Sequence, residues 1–320
     1  MRIGFVTDAL QHLPFEAMLD RAAELGMEGV EIACSGWTNA AHCDLEALAK
    51  SAEARTAFTR AIEARGLELM ALNANGNQLH PVSGSAHWRG LADAIRVSGD
   101  LGAKTVCCMS GLPGGGPDDR TPNWITTSWP PETRDILDWQ WNERLLPHWR
   151  AMGELAAECG VERFAIELHG GQLVYNAPTL LRLREEIGPM IGANLDPSHP
   201  LWMGADPLLM ADALRGAIHH VHAKDTAVNP PLAATVSRLE SGPLGPPEAR
   251  AWSYVTLGYG MGADWWRLFL YRLRMNSYDG WLSIEHEDPV LSRMEGLRRS
   301  VELLQSITPL EASDYAPPAI

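Results

Sequence analysis

Eight short, apolar, β-rich runs recur along this chain with longer amphipathic stretches between them, and that alternation restricts the fold more than any other feature. The runs are "RIGFV" (2–6), "GVEIA" (29–33), "LELMALN" (67–73), "KTVCCM" (104–109), "RFAIEL" (163–168), "IGANLD" (191–196), "IHHVHA" (218–223) and "GWLSIE" (280–285). The intervening segments carry helical spacing. In "FEAMLDRAAELGM" the residues Phe15, Met18, Leu19, Ala22 and Leu25 recur on one face, and Gly26 ends the run. Strands alternating with helices form a parallel sheet joined by crossovers. A count of eight predicts a closed (β/α)₈ TIM barrel instead of an open doubly wound sheet. The open sheet would need a glycine-rich phosphate loop in its first turn, and "VTDALQHLPF" has none. "GLPGGGP" (111–117) is glycine-rich but opens a long Pro- and Trp-containing loop, not a helix.

A chain of 320 residues fits one such barrel as a single domain, with residues 1–305 in the barrel and 306–320 as a Pro-rich C-terminal tail. Two connections exceed the usual short loop: Ser110 to Asp138 after the fourth strand, and Asp225 to Gly262 after the seventh. Both follow strands, so both belong to the face holding the strands' C-terminal ends, where barrel enzymes place their chemistry. Trp124, Trp129, Trp252 and Tyr254 either wall that face or pack peripherally.

A net charge of −14 repels a phosphate backbone, which makes nucleic acid an unfavourable partner and leaves a small molecule as the expected one. The five cysteines, at 34, 43, 107, 108 and 159, lack zinc-ribbon or disulfide-framework spacing and read as reduced thiols. "MRIGFVTDAL" starts a strand at once, without the apolar core of a signal peptide, and no apolar run is long enough to span a bilayer. The expectation is a cytoplasmic protein without a membrane partner.

Four successive strands finish on residues of metal-ligand type: Glu167, Asp196 in "NLDPSH", His222 in "HVHAKD" and Glu285 in "LSIEHED". In a barrel these ends converge. Three carboxylates buried together would cost several kcal/mol per ion, or force protonation, unless a cation sits among them. Three carboxylates and one imidazole make a mostly hard site, suited to Mn²⁺ or Mg²⁺ with positions open to substrate oxygens; Co²⁺, Zn²⁺ and Fe²⁺ also fit it.

The ordered set "IELH", "NLDPSH", "HVHAKD" and "LSIEHED" resembles the xylose isomerase-like superfamily of sugar isomerases and epimerases, which includes ketose 3-epimerases, inosose dehydratases and proteins called sugar phosphate isomerase/epimerase. The likeness spans nearly the whole chain, and its most specific pieces are Asp196 with His199 and the set His222, Lys224 and Asp225. It implies a TIM barrel holding one divalent metal, on Glu167, Asp196, His222 and Glu285, in a homodimer or homotetramer. The chain departs from several epimerases in having "AKDTAVNP" with no arginine soon after the metal-binding histidine, and "EHEDP" crowds His286, Glu287 and Asp288 beside Glu285.

A divalent ion that chelates a carbonyl oxygen and the adjacent hydroxyl stabilises an enediolate, so that the intervening carbon gives up its proton. By the resemblance, Glu167 and Glu285 are the pair that takes and returns it. His169, His199 and Lys224 are expected to hold substrate hydroxyls or the oxyanion, although Lys224 can equally pair with Asp225 or a neighbouring acid. Asn73 or Asn75 is favoured for substrate contact over Asn77 and His80. Alternation along the seventh strand sends His220 to the same face as His222 and His219 to the other. For phosphate, only isolated residues such as Lys224 and Arg120 offer charge.

The expected activity is therefore metal-dependent isomerisation or epimerisation of a sugar or keto-sugar. The same enediolate can instead expel a leaving group, giving a dehydratase or keto-glycoside-cleaving lyase. A barrel acting as a non-catalytic binding subunit, or working only with a partner chain, is the reading from a different class. The nuclease branch of the superfamily would need more strand-end histidines and a positive groove.

Overall fold

A computed structural model describes residues 1–243, 245–311 and 313–315. Eight parallel strands close into a barrel: β1 (Arg2–Val6), β2 (Gly29–Ala33), β3 (Glu68–Asn73), β4 (Thr105–Cys108), β5 (Arg163–Glu167), β6 (Ile191–Asn194), β7 (Ile218–Ala223) and, after a two-stranded insertion, β10 (Trp281–Ile284). Each follows its neighbour in chain order around the wall, and β10 pairs with β1 to close the ring. The final helix runs to Ile307, two residues beyond the boundary drawn at 305, and residues 312 and 316–320 of the expected tail lie outside the described residues.

Alternation along the strands separates two interiors. Phe5, Ile32, Leu72, Phe164, Ile166 and Ile284 join the main apolar core, where they pack with helix residues such as Trp149, Trp266 and Phe269. Each such side chain contributes about 1.5–3 kcal/mol by leaving water. Ala71, Cys107 and Ala165 form a separate small cluster in register with Glu31, Asn73 and Gly192. These small residues leave room inside the barrel for polar side chains, and Glu31, His220 and His222 are all buried there.

Local chemistry starts and stops the helices, and the stop expected at Gly26 is among them. Side chains of Asp44, Ser51, Asp206 and Ser292 accept N–H bonds from the first turns that follow them. The helix Phe15–Glu24 ends where Gly26 takes a φ of 74°.

Both long connections carry structure of their own. The one after β4 is shorter than predicted, because a helix begins at Glu132 just after Pro130 and Pro131. It continues through a π turn at Gln140–Leu145 into Leu146–Cys159. The Gln140 amide donates to the carbonyls of Gly114 (2.9 Å) and Asn123 (2.7 Å), fastening the loop to that turn. The connection after β7 contains an antiparallel pair, β8 (Asp225–Val228) and β9 (Trp252–Val255), and a short helix, Pro230–Val236. Asp225 anchors it: its carboxylate accepts N–H bonds from Thr226, Gly258, Gly260, Met261 and the Trp266 indole. Among the described residues, no helix is long and apolar enough to cross a membrane.

Candidate metal and active site

Glu167 and Glu285, at the ends of β5 and β10, line a cavity of about 430 Å³, and the ends of β6 and β7 bring Asp196 and His222 beside them. One ligand-type atom each from Glu167, Asp196, His222 and Glu285 lies within 4.8 Å of all the others. Asp196 Oδ2, His222 Nδ1 and Glu285 Oε2 are buried there without a hydrogen-bond partner among the described residues. His222 Nδ1 comes within 3.1 Å of Glu285 Oε2 and 4.0 Å of Glu167 Oε2. None of the three gains a well-aligned hydrogen bond, although His199 Nε2 lies 3.2 Å from Asp196 Oδ2 and Lys224 Nζ 3.4 Å from Glu285 Oε2, and a shared cation would relieve the three crowded carboxylates. The donor set therefore fits a divalent ion.

The remaining lone pairs are used to hold the ligand-type groups still. Asp196 Oδ1 accepts from the Ser198 N–H at 2.7 Å. Glu167 Oε1 accepts from His199 Nε2 at 2.7 Å, and the Asn75 amide donates to Oε2. Burial resists ionisation of Glu167, but the His199 hydrogen bond and the His222 ring outweigh it and keep the carboxyl below its ordinary pKa. Glu285 is pushed down to about 2, since Lys224 and His222 overcome the opposing effect of burial.

Sequence crowding around Glu285 resolves by packing. His286 turns away onto the last helix, where a Cβ on Gly296 would sit 2.0 Å from its ring. Asp288 accepts from Thr256 N–H (2.8 Å) and Oγ1 (2.7 Å). Glu287 reaches the cavity rim and pairs with Lys224 at 2.5 Å. Lys224 also lies 3.4 Å from Glu285 and 4.1 Å from the centre of the Tyr254 ring. Its partners are thus Glu285 and Glu287, while Asp225 serves the insertion.

The other polar residues divide into two groups. His169, His199, Asn73 and Asn75 line the cavity. His169 packs against His199 with ring centres 4.2 Å apart, and burial with the neighbouring imidazole pushes its pKa down to about 4. Among the described residues Asn75 Oδ1 is buried without a partner, whereas Asn73 spends its amide on Glu31 (2.7 Å) and its oxygen on the Asn75 N–H (2.9 Å). Asn77 bonds the backbone of Leu79 and Leu112, and His80 caps Val82 and Ser83, so both are occupied by local structure. Arg120 is exposed and lies outside the cavity lining.

Of the four aromatic residues considered for walls, Tyr254 is in the cavity, its hydroxyl 3.1 Å from His199 Nδ1. Trp252 supports it from behind by stacking on Trp202, with ring centres 5.0 Å apart. Trp124 packs edge-on to Tyr175, and Trp129 is 73% exposed, away from the site.

Sequence reasoning missed Glu31, which lies beneath His222 and accepts from both His220 and His222. The available signal was a carboxylate in the middle of the apolar run "GVEIA". Asp8, bonded to Thr38 at 2.6 Å, and the half-exposed Trp37 also line the cavity without having been anticipated. His219 accordingly faces outward, onto the Phe164 carbonyl at 3.1 Å.

A family described as "Xylose isomerase-like TIM barrel" matches residues 19–307. The chain is 46% identical over 308 residues to the "uncharacterized protein YfiH" of Bacillus subtilis (strain 168), covering 95% of this chain and 98% of that one. Among solved structures it resembles the IolI protein with a bound zinc atom at a TM-score of 0.66 and 15% identity, over 97% of this chain and all (100%) of that one. It also resembles the 3-keto-D-glucoside 4-epimerase YcjR of E. coli at a TM-score of 0.65 and 15% identity, covering 96% and 99% of the two chains. At these identities the structural likeness is one of fold.

Proposed function

The chain belongs to the xylose isomerase-like TIM barrel family, and from that premise we propose that it is a divalent-cation-dependent isomerase or epimerase of a small keto-sugar. The observation that carries this reading is the convergence of Glu167, Asp196, His222 and Glu285 on one point, with three of their buried polar atoms lacking a hydrogen-bond partner among the described residues, beside a cavity that Glu167 and Glu285 line. Mn²⁺ suits the three carboxylates and one imidazole best.

A divalent cation held there supplies positive charge beside a substrate carbonyl and its neighbouring hydroxyl. The protein's own groups do the rest. Glu167 and Glu285 are the carboxylates that take a proton from the carbon next to the carbonyl; the C–H bond breaks and its electron pair moves to the carbonyl oxygen. Return of a proton to the opposite face inverts that centre, and return to the former carbonyl carbon, with the neighbouring hydroxyl's proton passing to the former carbonyl oxygen, moves the carbonyl. His199 and Asn75 hold both oxygens of Glu167, which keeps it ionised and aimed. Lys224, fixed by Glu287, brings positive charge to the rim where oxyanion character develops. The unpartnered Asn75 Oδ1 accepts from a substrate hydroxyl.

Charge narrows the substrate. Among the described residues, Asp8, Glu167, Glu285 and Glu287 line the cavity against one lysine and no arginine. Such a lining disfavours phosphate and favours an uncharged keto-sugar.

The test is metal analysis of purified protein, then incubation with ketoses and keto-glycosides in D₂O. Deuterium next to the carbonyl, lost in Glu167→Gln and Glu285→Gln, is the expected result. Expulsion of a leaving group would move the reaction to elimination. A protein that holds no ion and exchanges no proton would be a binding subunit.

A further inference from the structure

Glu31 lies one layer below the proposed cation site, on β2, and touches none of the cavity. It is completely buried, and a register shift in the β2–β3 pairing falls between Val30 and Glu31, where such an irregularity re-aims the side chain. Its two oxygens are shared among three side chains. Oε1 accepts from Asn73 Nδ2 at 2.7 Å and His222 Nε2 at 3.0 Å; Oε2 accepts from His220 Nε2 at 2.8 Å, with His222 Nε2 at 3.2 Å.

Resting on the cation site proposed above, we infer that Glu31 is a positioning residue that orients two of its ligands at once. In one arm it takes the Nε2 hydrogen of His222, which fixes the tautomer with a lone pair on Nδ1 and turns that atom toward Glu285 and Glu167. In the other arm Asn73 is held by Glu31, the Asn73 oxygen holds the Asn75 backbone N–H at 2.9 Å, and the Asn75 amide reaches Glu167. His220 completes the coordination of the Glu31 charge, so the carboxylate stays ionised without an ion of its own.

A competing arrangement exists in the same place. Glu31, Cys107, His220 and His222 each present a ligand-type atom within 4.8 Å of the others, and a second ion would use the His222 Nε2 that the hydrogen bond now occupies. The N···O separations of 2.8 and 3.0 Å are those of ordinary hydrogen bonds, which satisfy the Nε2 atoms of both imidazoles unaided.

Mn²⁺ binding to the full chain, followed by the electron paramagnetic resonance of the free ion, decides between these. Wild type is expected to take one ion per chain. Glu31→Gln, which keeps the shape but cannot accept from every donor, should weaken Mn²⁺ binding about 10- to 100-fold at unchanged stoichiometry, and Glu31→Asp should recover part of that loss. ¹⁵N-histidine spectra of the Zn²⁺-loaded wild type should show His222 protonated at Nε2, and this readout remains if Glu31→Gln does not fold. Equal affinity in wild type and Glu31→Gln, or a His222 lacking the Nε2 proton, overturns the inference while leaving the cation site standing. Two ions per wild-type chain, with one lost in Glu31→Gln and in Cys107→Ser, overturns it in favour of a second site. A wild type that binds no ion would sink the cation site itself, and with it this inference.

Discussion

His199 Nε2 lies 2.7 Å from Glu167 Oε1, and both side chains are buried, so the proposed base cannot rotate without breaking a hydrogen bond out of reach of water. Glu167→Gln places an amide between two donors, His199 and Asn75, and removes the proton acceptor. Substrate deuterium exchange, followed by NMR, should fall about 10²- to 10⁴-fold while the circular dichroism spectrum is retained. Exchange at the wild-type rate would remove Glu167 from proton transfer.

Cation binding should stabilise the fold, because it quenches repulsion among Glu167, Asp196 and Glu285 that the unfolded chain does not feel. At a Mn²⁺ concentration about 100 times its Kd the gain is about 2.7 kcal/mol. Scanning calorimetry should show the melting temperature rising with Mn²⁺ and falling back with a chelator. In Asp196→Asn the rise should be much smaller.

Asp225 supports the insertion and not the chemistry. Asp225→Ala strands the buried Trp266 indole and several half-buried backbone N–H donors that now end on one carboxylate. Urea unfolding should show a loss of at least about 3 kcal/mol. Limited proteolysis should cut faster between 226 and 262. Unchanged protection there would contradict the anchoring role.

His148 gives the acid limb of stability a definite window. Both its ring nitrogens are buried without hydrogen-bond partners among the described residues, and burial pushes its pKa down to about 4. The unfolded chain takes up a proton at about 6.5 and the folded chain does not until about 4, so stability falls as pH drops through that interval. The loss from this one group is about 3 kcal/mol. His148→Phe should flatten the curve between those values, as read by urea midpoints from pH 7 to 4.

The barrel was legible because its wall repeats one pattern eight times, and the order of the strands fixes which ends meet. Glu167, Asp196, His222 and Glu285 could be picked out as polar residues closing apolar runs. Glu31 escaped the same logic because it interrupts a run instead of ending it; only burial turns an odd letter in "GVEIA" into a charge that needs partners. The contact between Tyr254 and His199 was illegible for a different reason. It depends on the register of β8 against β9, which opposes Thr226 to Tyr254, and nothing in that stretch marks a hairpin from a loop. Lys224 could have paired with either side, and the choice follows from Asp225 being saturated by backbone donors.

The β8–β9 insertion contributes Tyr254 to the cavity, yet none of the four proposed cation ligands comes from it. The proposed chemistry and the fit of its substrate are thus written in different parts of the gene product: on that proposal residues 226–257 can diverge to admit another substrate while the cation ligands are preserved, and a graft of that segment from a relative would be the natural unit for changing substrate preference.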